Sequence, residues 1–254
     1  MTGIFDSGIG GLTVVKALLK LLPEESFIYL GDTARTPYGN KSADTIIEYA
    51  KKDAKFLLDA GCDSLIIACN SVSAVATDIL RELYPDVKIF EVITPAVDAA
   101  IATGATRIGV IGTRATIASG IYQKKIQNGY AKVQVLSKPC PLFVSLVEEG
   151  WMNERETKQI ARKYLTVFRE KSYQTLILGC THYPLLTSVI QRAVGKKIHL
   201  IDSAEEVIQK YKKEAATKKE AATKTYFLTD ISPHSVAIAQ KWLGKKVHFE
   251  KADI

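Results

Sequence analysis

Short apolar runs of strand length alternate with stretches of helical periodicity along almost the whole chain, and this pattern constrains the fold most. The intervening stretches carry apolar residues three or four apart, as at Val14, Leu18 and Leu22. Such alternation predicts βαβ units and mainly parallel sheets. The predicted strands are 3–5, 27–30, 64–68, 88–90, 107–111, 132–136, 175–178, 197–200, 225–228 and 246–249. They are many for one sheet, so we predict two sheets.

A second strand–helix series starts near residue 107, after the segment 92–95. We therefore place a domain boundary near residue 96. The predicted fold class is α/β, with two doubly wound domains of mainly parallel sheet. The cleft between two such domains is a natural site for a small ligand.

Two segments about 110 residues apart share one pattern, an apolar run that ends in a cysteine and small polar residues. The cysteines are Cys69 and Cys180. Open α/β sheets bind ligands just past the carboxyl ends of their strands, and the N-terminus of a following helix favours a thiolate. Each cysteine alone could be a small buried apolar residue. Together they predict two thiols that face one substrate, whereas Cys62 and Cys140 lack this context and are predicted to be structural.

The composition is that of a globular protein. The chain has 254 residues and a net charge of +7, but six lysines and two glutamates between residues 210 and 224 account for +4 of it. No nucleic-acid recognition motif accompanies the charge, so we expect no nucleic-acid partner. No apolar run approaches the ~20 residues of a membrane span, and no secretory signal is visible. We therefore expect a cytoplasmic protein with reduced thiols and no membrane partner.

The four cysteines have no CxxC spacing, which argues against a zinc site or a disulfide framework, so no metal is expected. Residues 213–224 repeat KEAATK twice. A period of six does not keep one helix face buried, so the repeat is either a solvated helical extension or an inserted spacer.

The loop DSGIGG, residues 6–11, follows the first strand and opens the first helix, where glycines let backbone N–H groups approach an anion. A dinucleotide fingerprint would need a third glycine where Thr13 stands, although Asp32 lies at the spacing of a ribose-binding acid. A small carboxylate or phosphate fits better. The polar loop 31–40 is predicted at the same edge of the sheet.

His182 lies two residues after Cys180, where a histidine can hold or move a proton for the thiol. His199, His234 and His248 have no comparable setting. The acidic pair Glu148 and Glu149 would, from composition alone, be a solvated helix end.

These loops carry a family resemblance. The segments are FDSGIGGLTV, YLGDTARTPYG, IIACNSVSA, IGVIGTRATI, CPLFVSLVEEG and LILGCTHYPLL, in family order over nearly the whole chain. The chain resembles the glutamate racemases of the aspartate/glutamate racemase superfamily, and GCTH favours them over aspartate racemases.

The resemblance implies racemisation of L- and D-glutamate without a cofactor, in the cleft between two domains, with D-glutamate supplied to peptidoglycan synthesis. It implies that Cys180 takes the proton from L-glutamate and Cys69 from D-glutamate. Asp6 would assist Cys69, and His182 would assist Cys180, with Glu148 or its neighbour Glu149 nearby. The implied substrate-binding residues are Asp6, Ser7, Pro37, Tyr38, Gly39, Asn70, Ser71, Thr113, Thr116, Thr181 and His182.

The resemblance also implies that residues 207–254 return to the first domain, giving 1–96 with 207–254 and leaving 97–206 as the second. Two positions depart from the family pattern, since Ser71 stands where threonine is usual and Thr94 where glutamate is usual. We expect a homodimer. The alternatives are a racemase of another acidic amino acid and a catalytically idle binding module that uses the 213–224 repeat. A thiol hydrolase would leave the second cysteine without a role.

Overall fold

The computed structural model describes residues 1–214 and 222–254. Its strands are β1 (Thr2–Asp6), β2 (Phe27–Gly31), β3 (Ser64–Ile67), β4 (Lys88–Glu91), β5 (Arg107–Gly112), β6 (Gln134–Pro139), β7 (Thr175–Gly179), β8 (His199–Asp202), β9 (Lys224–Leu228) and β10 (Glu250–Lys251). Its helices are α1 (Leu12–Leu21), α2 (Ala43–Asp59), α3 (Asn70–Leu83), α4 (Ile93–Ala102), α5 (Arg114–Ala118), α6 (Ile121–Gly129), α7 (Leu142–Glu148), α8 (Arg155–Glu170), α9 (Thr187–Val194), α10 (Ser203–Glu214) and α11 (Pro233–Leu243). Two 3₁₀ turns span Tyr38–Asn40 and Tyr183–Leu186.

The strands form two parallel sheets. The first has the order β10-β9-β2-β1-β3-β4 and the second the order β6-β5-β7-β8. Every strand pairing is parallel. The predicted α/β class with two parallel sheets is therefore confirmed.

Both sheets contain the same topological switch. The chain leaves β1 toward β2 on one side and later adds β3 on the other side of β1, and β5 has the same relation to β6 and β7. Loops diverge at such a point and open a crevice at the carboxyl ends of the strands. Cys69 follows β3 and Cys180 follows β7, so the two cysteines occupy equivalent positions.

Apolar side chains cover both faces of the first sheet, which explains why its strands are uninterrupted apolar runs. Neighbours on β1 point to opposite faces. Ile4 belongs to the large core that also contains the second sheet, whereas Phe5 belongs to a separate core that includes α2 and α3 residues. The first core packs the two sheets into one body around the crevice.

Three strand predictions differ from the structure. Residues 246–249 are not a strand, because Gly244 terminates α11 in a left-handed conformation just after Leu243 and the chain runs irregularly until β10. Phe249 is buried against Tyr226 instead of pairing. The strands predicted at 132–136 and 197–200 begin two residues later, at β6 and β8.

The chain returns to the first sheet through α10, which packs on α1 and α4, and β9 then pairs with β2. The domain limits near residues 96 and 206 stay a prediction.

The predictions for the KEAATK repeat fall mainly on residues 215–221, which lie outside the described residues. No helix in the described parts of the chain is long and apolar enough to cross a membrane.

Candidate active site

A cavity of about 60 Å³ lies between the two switch points, and both cysteines line it. Ser7, at the end of β1, and Thr113, at the end of β5, also reach it. The other predicted residues along its wall are Pro37, Tyr38, Gly39, Asn70, Ser71, Glu148, Thr181 and His182. The cavity is small beside the several hundred Å³ of typical ligand sites.

The sequence reasoning missed part of the wall, namely Thr36, Asn40, Pro141, Val144 and Ser145. Thr36 and Asn40 flank the predicted Pro37–Gly39 turn. The other three lie at the start of α7, in the segment CPLFVSLVEEG. The match of this segment to the family pattern was the sequence signal that could have indicated them.

His182 pairs with both Cys180 and Glu148. Its Nδ1 lies 3.8 Å from the Cys180 sulfur, and its Nε2 lies 3.1 Å from Glu148 Oε1. Burial lowers the pKa of His182, but the hydrogen bonds to Cys180 and Glu148 outweigh burial and raise it from 6.5 to about 10. His182 is therefore an imidazolium at neutral pH, and a cation at this distance stabilises a thiolate.

The structure corrects the helix expected after Cys180. The residues that follow form a 3₁₀ turn, Tyr183–Leu186, and α9 begins only at Thr187. A helix dipole acts within the first turn of its own helix. The positive charge beside Cys180 therefore comes from His182.

Cys69 has a different environment. It is the N-cap residue of α3, and its thiol lies 3.6 Å from the Ser7 hydroxyl. Burial, followed by the nearby charge of Asp6, raises the pKa of the Cys69 thiol to about 12. Although the helix N-terminus favours a thiolate, burial outweighs it, and Cys69 holds its proton at neutral pH.

Asp6 lies behind the cavity wall. Its carboxylate accepts hydrogen bonds from the Gly8 N–H at 3.2 Å and the Thr181 hydroxyl at 3.5 Å. Burial raises its pKa to about 6, although the charge of His182 and backbone N–H groups act in the opposite direction. Asp6 thus links the loop after β1 to the loop that carries Cys180.

Three hydroxyl groups meet where the halves of the site join. The Ser71 Oγ lies 2.9 Å from Thr113 Oγ1 and 3.2 Å from Thr116 Oγ1, and the two threonine hydroxyls are 3.0 Å apart. Ser71 and Thr113 line the cavity, while Thr116 supports them from behind. Serine at position 71 thus keeps the hydroxyl at this junction. The contacts predicted for Asp6 and Thr116 with substrate stay predictions.

Asn70 connects the two cysteine loops. The Tyr122 hydroxyl donates to Asn70 Oδ1 at 2.6 Å, and Asn70 Nδ2 donates to the Ser203 hydroxyl at 3.4 Å. Tyr122 also packs on Gly179, where an added Cβ would lie 3.1 Å from its ring. One buried tyrosine therefore touches the residue after Cys69 and the residue before Cys180.

The Pro37–Gly39 turn lines the cavity. The Tyr38 side chain is fully buried, and its hydroxyl contacts Asp32 and Asp53. A Cβ on Gly39 would lie 2.6 Å from the Thr113 Cβ, so the turn packs tightly against the second half of the site. Asp32 is buried in this cluster, which leaves it unavailable for the ribose contact that its spacing suggested.

The fold and the site match a class of isomerases. Residues 16–211 match the Asp/Glu/hydantoin racemase family, and the chain belongs to that family. It is an amino-acid racemase.

Its relatives are similar over nearly their whole length. A glutamate racemase from Geobacter metallireducens is 42% identical over 252 residues, covering 96% of this chain and 93% of the relative. The crystal structure of a Francisella tularensis glutamate racemase in complex with D-glutamate is 37% identical, with a TM-score of 0.92 and coverage of 99% of this chain and 97% of that one. A Bacillus anthracis glutamate racemase is 32% identical, with a TM-score of 0.95 and coverage of 100% and 97%.

Replacing Glu148 with glutamine is expected to weaken activity at high pH. The neutral amide no longer raises the pKa of His182, so the imidazolium is lost at a lower pH than about 10, where the wild-type group titrates. The raised pKa also stabilises the fold. This contribution is fully present below about pH 6.5 and is lost as the pH rises through about 10. Initial rates and thermal unfolding across the alkaline range check both effects.

The control is Glu149→Gln, which removes a neighbouring carboxylate that is exposed to solvent. We expect this variant to keep the wild-type alkaline limb. Equal shifts in both variants would contradict the assignment of Glu148 as the partner of His182.

Proposed function

We propose that this racemase interconverts L- and D-glutamate by a two-base mechanism in which Cys69 and Cys180 act on opposite faces of the α-carbon. The observation that carries the proposal is the pair of thiols at equivalent switch points around one cavity. One side chain cannot reach both faces of a carbon, so inversion needs a second base. The similarity to glutamate racemases supports glutamate as substrate.

The two thiols have different neighbours. The His182 imidazolium lies 3.8 Å from the Cys180 sulfur, where a positive charge supports a base, and burial keeps Cys69 protonated. Cys180 therefore removes the α-proton of L-glutamate, and the Cys69 thiol donates its proton to the opposite face of the carbanion. The α-proton ends on the Cys180 sulfur and the proton of the Cys69 thiol ends on the α-carbon, so the product is D-glutamate. The reverse reaction starts from the opposite protonation states.

The carbanion intermediate needs stabilisation, because an α-hydrogen of an amino acid is very weakly acidic. Negative charge develops on the substrate carboxylate, where backbone N–H groups and hydroxyls stabilise it. The N-terminus of α3 and the hydroxyls of Ser71 and Thr113 supply such donors around the cavity. Closure of the two halves excludes water and strengthens these interactions.

The test is incubation with L-glutamate in deuterium oxide, with no added cofactor. We expect optical rotation to fall while solvent deuterium replaces the α-proton, as followed by proton NMR. Exchange with aspartate but not glutamate would move the substrate to another acidic amino acid. No exchange with any acidic amino acid, in a folded protein with reduced thiols, would contradict the proposal and favour a binding module.

On the same proposal, D-glutamate supplies peptidoglycan synthesis in the cytoplasm, and the protein is a homodimer.

A further inference from the structure

A cluster of buried charged groups lies beneath the Pro37–Gly39 turn and takes no part in the proton transfers. It consists of Asp32 after β2, Arg35, Tyr38, and Asp53 on α2. Asp32, Tyr38 and Asp53 are fully buried. The carboxyl groups of Asp32 and Asp53 share the guanidinium group of Arg35. The hydrogen bonds within the cluster therefore depend on which oxygen atoms carry a hydrogen.

Asp32 accepts most of the hydrogen bonds in this cluster. Arg35 Nε donates to Asp32 Oδ2 at 2.5 Å, and the Thr229 hydroxyl donates to Asp32 Oδ1 at 2.8 Å. The Tyr38 hydroxyl also contacts Asp32 Oδ2. An ionised carboxylate accepts hydrogen bonds at both oxygens, so this environment stabilises a negative charge on Asp32.

Asp53 has fewer donors. Arg35 Nη2 lies 3.1 Å from Asp53 Oδ1, and the Tyr38 oxygen lies 3.1 Å from Asp53 Oδ2. A tyrosine hydroxyl carries one hydrogen. If that hydrogen points to Asp32, the contact between Tyr38 and Asp53 needs a second hydrogen, which only the carboxyl group of Asp53 can supply.

We propose that Asp53 is a protonated carboxylic acid that donates its hydrogen bond to the Tyr38 oxygen, and that it thereby positions the substrate-binding turn. The hydrogens then run from Asp53 to Tyr38 and from Tyr38 to the Asp32 carboxylate. Burial, followed by the charge of Asp32, holds the pKa of Asp53 well above its ordinary value of 3.8, which agrees with this arrangement.

The cluster is connected to the cavity through the Pro37–Gly39 turn, which lines it. Tyr38 is fixed at its hydroxyl by both carboxyl groups, and Gly39 packs against Thr113, which lines the cavity with Ser71. A displaced Tyr38 would move the turn relative to Thr113. Asp53 touches neither the cavity nor a cysteine, so it is a positioning residue. Its effect on catalysis rests on the proposed function, whereas its protonation does not.

The test compares Asp53→Asn with Asp53→Leu. The amide of asparagine reproduces the protonated acid, because its NH₂ can donate to Tyr38 and its oxygen can accept from Arg35. We expect Asp53→Asn to keep KM and kcat within about twofold of wild type. Leucine supplies neither group and leaves Arg35 half paired, so we expect KM to rise about tenfold or more with a smaller change in kcat. Asp59→Asn, an exposed position on α2 that pairs with Lys55, is the control and should match wild type.

Infrared difference spectra decide the protonation without reference to activity. At mildly alkaline pH the carboxyl groups of Asp6 and Asp202, with pKa values raised to about 6, are ionised. Wild type minus Asp53→Asn should then show the C=O band of a protonated carboxyl group, and wild type minus Asp59→Asn should not.

The absence of that band, or an Asp53→Asn variant as impaired as Asp53→Leu, would overturn the inference. If the protein did not racemise glutamate at all, the band would still decide the state of Asp53. If the Asp53→Leu variant did not fold, the infrared spectra and the kinetics of Asp53→Asn would still test the proposal.

Discussion

Changing either Cys69 or Cys180 to serine is expected to reduce racemisation by about 10³-fold or more, with the fold intact. General acid–base groups contribute about 10²- to 10⁴-fold to rates, and a serine hydroxyl ionises far less readily than a thiol. Both thiols are buried in the same cavity, and replacement of sulfur by oxygen leaves the surrounding packing nearly unchanged. Initial rates with each enantiomer measure the loss, and circular dichroism checks the fold.

The single variants should also differ from each other in isotope exchange. In Cys69→Ser, Cys180 can still remove and return the α-proton of L-glutamate, so we expect slow deuterium uptake into L-glutamate without inversion. Cys180→Ser should show the same for D-glutamate only. Cys62→Ser is the control, because that buried thiol lies outside the cavity wall. A Cys69 or Cys180 variant that racemised glutamate at a rate near wild type would refute the two-base assignment.

The sequence was sufficient to predict two parallel sheets and the placement of the two thiols past the ends of strands. The apolar runs that precede Cys69 and Cys180 are continuous because both faces of each parallel strand are covered. A residue just past the carboxyl end of such a strand lies at the carboxyl-terminal end of the sheet, whichever helix follows it. The equivalence of the two cysteines followed from this rule, and the strand orders β2-β1-β3-β4 and β6-β5-β7-β8 confirm it.

The electrostatics of the site could not be predicted in the same way. Sequence reasoning assigned both thiolates to helix N-termini, yet Cys180 precedes a 3₁₀ turn and burial dominates at Cys69. The contact between Glu148 and His182 joins residues 34 apart, and only the family resemblance indicated it. No local pattern shows that Asp53, in the middle of an amphipathic helix, is fully buried beside Asp32.

Gly10→Ala is expected to lower kcat by about 10²-fold, the scale of losing one acid–base partner. A Cβ at Gly10 would lie 2.4 Å from His182 Cε1 and 2.5 Å from the Thr181 hydroxyl, closer than real Cβ contacts allow. Glu148 holds the His182 Nε2 at 3.1 Å and the Trp242 ring packs edge-on at 5.8 Å, so the contact that yields is the longer one, 3.8 Å, between His182 Nδ1 and Cys180. Relief therefore turns the imidazolium away from Cys180. The pH–rate profile should lose the alkaline limb that His182 produces, and stability should fall by about 1–3 kcal/mol.

Gly61→Ala is expected to lower stability without lowering kcat. Among the described residues other than its chain neighbours, no atom lies within 4 Å of the Cβ it would add, but Gly61 has a φ of +88°, where an L side chain is strained. It should therefore cost about 1 kcal/mol or more of stability and leave kcat unchanged, because Gly61 lies in the turn after α2, away from the cavity wall. A Gly10→Ala variant with wild-type kcat would mean that His182 can move without consequence. The imidazolium would then not be what keeps Cys180 ready to remove a proton.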